Sequence, residues 1–296
     1  MTHDKASFPL QIDRSSARWP AELSAIADAP ECLWLRGKID LLALQPRVAI
    51  VGTRAPTPYG QAQAARFARA LAAKGVCVVS GLARGIDAAA HESVLEAGGA
   101  TLGVLGSSVD LPWPPGPLAE RMAQNGLLLS ELWPGTGPRK QHFPRRNRLI
   151  SGLSQAVVVI EAAAASGSLI TAHWAVDQGR EVFALPGRVD HPMARGCHRL
   201  IREGALLVED PEEVLEILGI QSSAESVRAG DARNRCTQPT GLAFEIWEAL
   251  HGETLGPDEL AERLRGEAGG ILTALVELEL AGFVARCPGG LYRRLS

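Results

Sequence analysis

The chain has 296 residues, 46% hydrophobic and 21% charged, with a formal net charge of -3 at pH 7. That length suits about two domains and the composition suits a folded globular protein, while the near-neutral balance excludes one that coats nucleic acid over its whole surface. Cys32, Cys77, Cys197, Cys236 and Cys287 are scattered without metal-ligand spacing, no secretory pattern opens MTHDKASFPLQIDRSS, and no apolar run approaches the roughly 20 residues of a membrane span, so a cytoplasmic protein without a disulfide framework is expected.

Residues 1–45 are irregular, punctuated by Pro20, Pro30 and Gly37. Leu33-Trp34-Leu35 can form a short edge strand, and the segment reads as a leader packed on the main sheet, with no separate helical domain. From residue 47 short β-branched or apolar runs alternate with helical stretches. The runs are 48–51, 76–79, 101–105, 127–129, 156–160, 181–185 and 205–208; the helical stretches are 60–74, 86–97, 117–125, 147–153, 168–178 and 197–203. Runs apolar at successive positions are strands covered on both faces. Repeated β-then-α order predicts a doubly wound, mostly parallel α/β sheet over 46–219, closed by a helix opening at Pro211-Glu212-Glu213. Residues 220–239, poor in apolar periodicity, read as a linker. In 240–296, three helices are followed by two short strands flanking Pro288-Gly289-Gly290, the pattern of a winged helix.

Ligands of open parallel sheets bind beyond the carboxyl ends of the strands. Gly52-Thr53-Arg54 follows the first run, Ser80-Gly-Leu-Ala-Arg-Gly-Ile-Asp87 the second, and Ser166-Gly167-Ser168 lies before the helix after the fifth. Small residues there let backbone N–H groups reach an anion at a helix N-terminus. The decamer Arg139–Arg148, RKQHFPRRNR, carries five cations, no acid, and Phe143. Alone it reads as a solvated basic loop; beside that rim it reads as a phosphate-holding connection. Lysine occurs only at Lys5, Lys38, Lys74 and Lys140, so arginine dominates the basic residues. A GC-rich genome accounts for most of that bias.

There is no G-x-G-x-x-G after the first run and no G-x-x-x-x-G-K-[ST], which disfavours a dinucleotide cofactor and P-loop hydrolysis. His191, Cys197 and His198 make a poor metal set, and no cofactor or metal is expected. Asp87 and His91, four apart on one helix, read as a bracing pair; a triad with Ser80 lacks the G-x-S-x-G elbow.

Taken in order, Val51-Gly-Thr-Arg54, Ser80–Asp87 with His91, Ser130-Glu131, Phe143-Pro-Arg-Arg-Asn-Arg148, Ser166–Ser168 with Thr171-Ala172, and Leu185-Pro-Gly187 resemble the bacterial DNA-processing protein A (DprA/Smf) family over about residues 19–218. The resemblance implies an extended Rossmann-like domain that binds single-stranded DNA, forms a homodimer and loads RecA recombinase onto incoming DNA in natural transformation, without being an enzyme. It implies a DNA pocket of Gly52, Arg54, Ser80, Gly81, Arg84, Lys140, Phe143, Arg146, Asn147 and Arg148. Two features depart from the pattern: 45 residues leave no room for the N-terminal helical domain of many relatives, and Gly106-Ser-Ser-Val-Asp110 replaces the usual Gly-x-Gly turn, which puts that turn's pocket role in doubt.

In this reading Arg54, Arg84 and Lys140 neutralise phosphates, Phe143 stacks a base, Arg146 and Arg148 hold phosphate or stack, and Asn147 orders the turn. About five phosphates would give a log affinity versus log salt slope of roughly -3.5. The alternative is a nucleotide phosphoribohydrolase of the LOG type. Its P-G-G-x-G-T-x-x-E motif is matched here only by Glu161–Thr171, which lacks the helix-start glutamate. In the terminal unit, Gly266–Ala285 holds Glu267, Glu277 and Glu279 and no Lys or Arg, so the unit is expected to contact protein, with Arg286, Arg293 and Arg294 at most auxiliary to DNA.

Overall fold

The computed structural model describes residues 9–220 and 241–295, apart from Gly252, Arg265, Glu267, Ala281, Gly282, Pro288 and Gly289. The expected linker, Ile220 excepted, and the first two residues of the expected hairpin turn lie outside the described residues. The described residues fall into two compact units, 9–220 and 241–295.

In the first unit the strands are β1 (Leu10–Asp13), β2 (Cys32–Gly37), β3 (Arg47–Val51), β4 (Cys77–Ser80), β5 (Thr101–Val104), β6 (Leu127–Ser130), β7 (Ala156–Val159), β8 (Glu181–Ala184) and β9 (Leu206–Leu207). The helices are α1 (Ala21–Ser24), α2 (Pro58–Ala73), α3 (Ile86–Glu96), α4 (Pro117–Asn125), α5 (His142–Gly152), α6 (Ser168–Asp177), α7 (Arg195–Arg202) and α8 (Pro211–Ile217). One sheet runs β1-β2-β6-β5-β4-β3-β7-β8-β9, parallel from β3 to β9. The strand order reverses between β3 and β7, which makes that gap the switch point where ligands bind.

Successive side chains of a strand face opposite ways. Val48 and Ile50 accordingly join Phe67, Leu71 and Val94 of α2 and α3 on one face, while Ala49 and Val51 join Leu149 and Leu169 of α5 and α6 on the other. This is why the runs are apolar at every position. Trimming the fully buried Phe67 to alanine would cost about 3–5 kcal/mol.

The leader departs from expectation. It adds two strands, and β2 is not at the edge: it pairs antiparallel with β6 through Trp34–Ser130 to Gly37–Leu127, and β1 lies outside it. The basic decamer departs as well. It is largely helical, because α5 starts at His142 and carries Pro144 in its first turn, where a missing N–H costs nothing.

The second unit holds α9 (Leu242–Ala249), β10 (Thr254–Leu255), α10 (Pro257–Leu264), α11 (Ala268–Leu280), β11 (Val284–Arg286) and β12 (Tyr292–Arg294) around Ile246, Leu250, Leu260, Ile271 and Leu275. With its sheet order β10-β12-β11 it is a winged helix. The Arg294 guanidinium lies 3.2 Å from the Trp247 ring centroid and bonds Glu248 at 3.1 Å. Among the described residues no helix is long and apolar enough to cross a membrane.

Candidate nucleic-acid interface

The loop after β3 is fixed across the switch point by Glu161, two residues beyond the end of β7. Thr53 N–H donates to the Glu161 carbonyl (2.7 Å), while Thr57 donates its N–H (2.9 Å) and hydroxyl (2.6 Å) to the Glu161 carboxylate. Thr57 also caps α2, its hydroxyl accepting from Gly60 N–H at 3.0 Å. Thr53 carbonyl accepts from Ile86 N–H (3.2 Å), joining this loop to the start of α3. Arg54 therefore projects, exposed, from a loop tied at both ends.

The turn after β4 is built inward. Leu82 is buried in the left-handed region at φ 56, a strained setting for a branched side chain. Asp87 accepts from the N–H groups of Gly81 (3.1 Å) and Ala83 (3.4 Å). Burial raises the Asp87 carboxyl and the charge of Arg146 opposes that rise. The Arg146 guanidinium is buried too; Nη1 donates to the carbonyls of Gly81 (2.6 Å) and Val104, and Nε to the Asn147 Oδ1 (3.2 Å). Desolvation pulls its pKa down to about 10 against the attraction of Asp87. A Cβ on Gly81 would lie 2.7 Å from both terminal nitrogens of Arg146, so only glycine admits the guanidinium here.

Helical phase sorts the decamer. Residues two apart on a helix point roughly 200° apart, so Arg146 and Arg148 cannot share a cleft. Arg148 turns away: its terminal nitrogens grip the Glu131 carboxylate at 2.8 and 2.7 Å, and its Nε donates to the Asp28 carbonyl at 2.8 Å. Phe143 lies towards the cleft, half-buried beside Gly106 after β5, where a Cβ would come within 2.7 Å of its Cδ1. The Arg54 guanidinium lies 5.4 Å from the Phe143 ring centroid, within cation–π range.

These parts enclose a cleft of about 560 Å³, lined by Gly52, Arg54, Ala83, Lys140, Phe143, Arg146, Asn147, Ser166, Gly167, Ser168 and Thr171 among others. Two helix N-termini open on it, those of α5 and α6; neither helix has an acid in its first turn or a side-chain cap on its N-cap residue. Such ends present partial positive charge to an anion, while the N–H groups of Ser168, Leu169 and Ile170 at the start of α6 donate to Ser166 Oγ and to the carbonyls of Ser166 and Gly167. Arg54 and Lys140 line it and are exposed, as are Arg84 and Arg139 next to the lining residues Ala83 and Lys140 in the chain, and none of the four is in an ion pair among the described residues. The arrangement offers phosphate donors, cations and an aromatic ring in one concavity.

Of the ten expected site residues, Gly52, Arg54, Lys140, Phe143, Arg146 and Asn147 come together on the cleft, and Arg84 is exposed on the neighbouring turn. Three others are not brought to the cleft surface. Ser80 is fully buried and donates to the Ile50 carbonyl at 2.6 Å; Gly81 lies beneath Arg146; and the Arg148 guanidinium bonds Glu131 and Asp28. Arg146 braces the floor with all the contacts given above. Asn147 donates to the Gly167 carbonyl (3.2 Å), joining α5 to the start of α6.

The expected Asp87–His91 brace is replaced by separate engagements. The Thr101 hydroxyl gives its one hydrogen to the Val78 carbonyl (2.9 Å), so His91 Nδ1, 2.7 Å away, must be the donor to it. Burial and the Arg146 charge push His91 down to about 3, which leaves it neutral. Sequence reasoning missed the Glu161 clasp and the contact at Gly106, whose lack of a side chain makes room for the ring, although no residue of the Gly106–Asp110 turn lines the cleft. The run of strand-end residues was the available signal for both.

A family model described as DNA recombination-mediator protein A matches residues 11–219, and one described as the DprA winged helix domain matches residues 236–290. Protein Smf of Escherichia coli is 40% identical over 292 residues, covering 95% of this chain and 76% of that protein. The DNA processing protein DprA of Bacillus subtilis is 43% identical over 209 residues, 70% of each chain. Among solved structures, DprA from Streptococcus pneumoniae superposes with a TM-score of 0.67 at 42% identity, covering 71% of this chain and 74% of that one. DNA processing protein A from Helicobacter pylori, described for its single-stranded DNA binding mode, gives 0.65 at 32% identity, covering 71% and 95%. A Rossmann-like sheet with this switch-point cleft, followed by a winged helix and matched by relatives along most of its length, places the chain in the DNA-processing protein A (DprA/Smf) family.

Proposed function

We propose that this chain binds single-stranded DNA in the cleft between β3, α5 and α6, protects it, and passes it to RecA recombinase in natural transformation. The observation that carries the reading is the pairing of Phe143 and Arg54 beside two helix N-termini that have no acid in their first turns. Phosphates meet Arg54, Lys140 and the backbone N–H groups, while a base stacks on the phenyl ring. Duplex DNA hides its base faces, so unpaired strands are preferred. The family's name as a recombination mediator and the single-strand binding of the Helicobacter relative support the reading. The acid in the cleft, Asp87, is buried with its Oδ2 engaged by two backbone N–H groups, which suits a binding role over a catalytic one. Self-association is assigned to the segment 195–218, where Leu206 and Leu207 of β9 and Ile217 of α8 are exposed at the open sheet edge.

The test is Phe143→Ala titrated with an unstructured thymidine oligomer and with duplex. Stacking on an aromatic contributes roughly 1–3 kcal/mol per base, so single-strand affinity drops by that amount while duplex affinity holds. Equal loss on both would refute stacking as the source of preference.

A further inference from the structure

A second cavity of about 490 Å³ opens on the same rim, behind the loop that carries Arg54. Its walls include Pro58 and Tyr59 at the start of α2 and Pro186 after β8, with Arg188 and His191 also lining it. Tyr59 is half exposed, so its phenol is free to take a planar partner. The surface is mainly apolar, yet Glu161 lies within it, 6% exposed. Pockets that are apolar with a few placed polar groups are the usual form of a small-ligand site.

Glu161 decides the ligand's chemistry. An ionised carboxylate only accepts, and its two oxygens offer about four lone-pair positions. Thr57 N–H takes one on Oε2 and the Thr57 hydroxyl one on Oε1, which leaves each oxygen a further position. A planar ligand that fits must present two adjacent N–H donors. Guanine does so through N1–H and its 2-amino group. Adenine and cytosine set an amino group beside a bare ring nitrogen, and thymine sets one N–H between two carbonyls. Arg188, held by Asp190 at 3.1 and 2.8 Å, adds a positioned cation for a phosphate attached to that base.

We propose that this cavity is a guanine site, in which Glu161 reads the base edge and Tyr59 stacks on its face. It goes beyond the strand-binding role, and neither depends on the other. The base can come from a free nucleotide or from a guanine in a DNA strand.

The full-length protein is titrated with GMP, IMP, AMP and TMP, followed by ligand-observed NMR. GMP binds saturably and about tenfold more tightly than AMP or TMP, and IMP, which lacks the 2-amino donor, falls between. Tyr59→Ala weakens GMP roughly tenfold and leaves a thymidine oligomer's affinity and the melting temperature unchanged, which shows that the variant is folded. A single guanine placed in the thymidine oligomer tightens binding in wild type but not in Tyr59→Ala if the strand supplies the base. If the site takes the free nucleotide only, the guanine changes nothing while GMP still binds. No saturable GMP binding, equal affinity for GMP and AMP, or GMP binding lost in Arg54→Ala and kept in Tyr59→Ala would overturn the proposal. Failure of the oligomer alone to bind would refute the cleft reading and leave the GMP result standing.

Discussion

Replacing Arg54 and Arg148 by alanine, one at a time, tests the division of the basic residues into exposed and buried sets. Arg54, Arg84, Arg139 and Lys140 are the exposed cations around the cleft, whereas Arg146 and Arg148 are buried. For single strands the log affinity falls with log salt by about 0.7 per phosphate neutralised, so four cations give a slope of about -2.8, shallower than the -3.5 expected from sequence. Raising salt from about 50 to 200 mM then weakens binding by roughly 50-fold in wild type, and by about 18-fold in Arg54→Ala, whose slope falls to about -2.1. Arg148→Ala should leave the slope of the folded protein unchanged. It strands the mostly buried Glu131 carboxylate instead, at a cost of about 3–5 kcal/mol and a melting temperature lower by about 6–20 °C. Fluorescence anisotropy with a labelled thymidine oligomer at several salt concentrations reads the slopes, and a thermal melt reads the stability. The reasoning fails if Arg148→Ala flattens the slope as Arg54→Ala does, or if Arg54→Ala leaves it intact.

Gly106→Ala places a Cβ against Phe143 and should weaken oligomer binding by up to the roughly 1–3 kcal/mol of the stacked ring, with duplex binding unaffected in the same assay. His91 has a folded pKa depressed from 6.5 to about 3, so its contribution is complete above 6.5 and is lost as pH falls towards 3. That loss is about 1.4 kcal/mol per pH unit within the window. Asp87, raised by burial, acts in the opposite sense, so urea melts of wild type against His91→Gln across pH 4–7 isolate the imidazole; the variant's stability should be flatter with pH. Deleting residues 236–296 should change single-strand affinity by no more than roughly threefold, because the exposed Glu277 and Glu279 of α11 repel phosphate; a larger loss would show that the winged helix touches the strand.

The sheet was legible because its strands are buried on both faces, which forces apolar residues at consecutive positions such as Ala156–Val159. Turn residues at the strand ends marked the rim for the same kind of reason: only small side chains let backbones close on one another or on an anion. Arginine burial was not legible. Arg145, Arg146 and Arg148 look alike in a row, and what separates them is the phase of α5 and the distant acids Asp28, Asp87 and Glu131. The helix start at His142, five residues before the expected 147–153 stretch, is hidden in the sequence because it has no side-chain N-cap and contains a proline. β1 escaped notice because it has four residues, of which only Ile12 is buried. The Glu161 clasp escaped because its partners are 104 residues away.

The leader's position on β6 bears on how this protein can be shortened. A version starting at residue 46 would strip β6 of its antiparallel neighbour and leave a leucine-lined margin able to recruit the same margin of another molecule. It would also take Asp28 from Arg148, loosening the root of the helix whose tip carries Phe143. Residues 9–45 thus act as hem and guy-line for a grip built further along, and the smallest soluble fragment that holds a strand should start before β1.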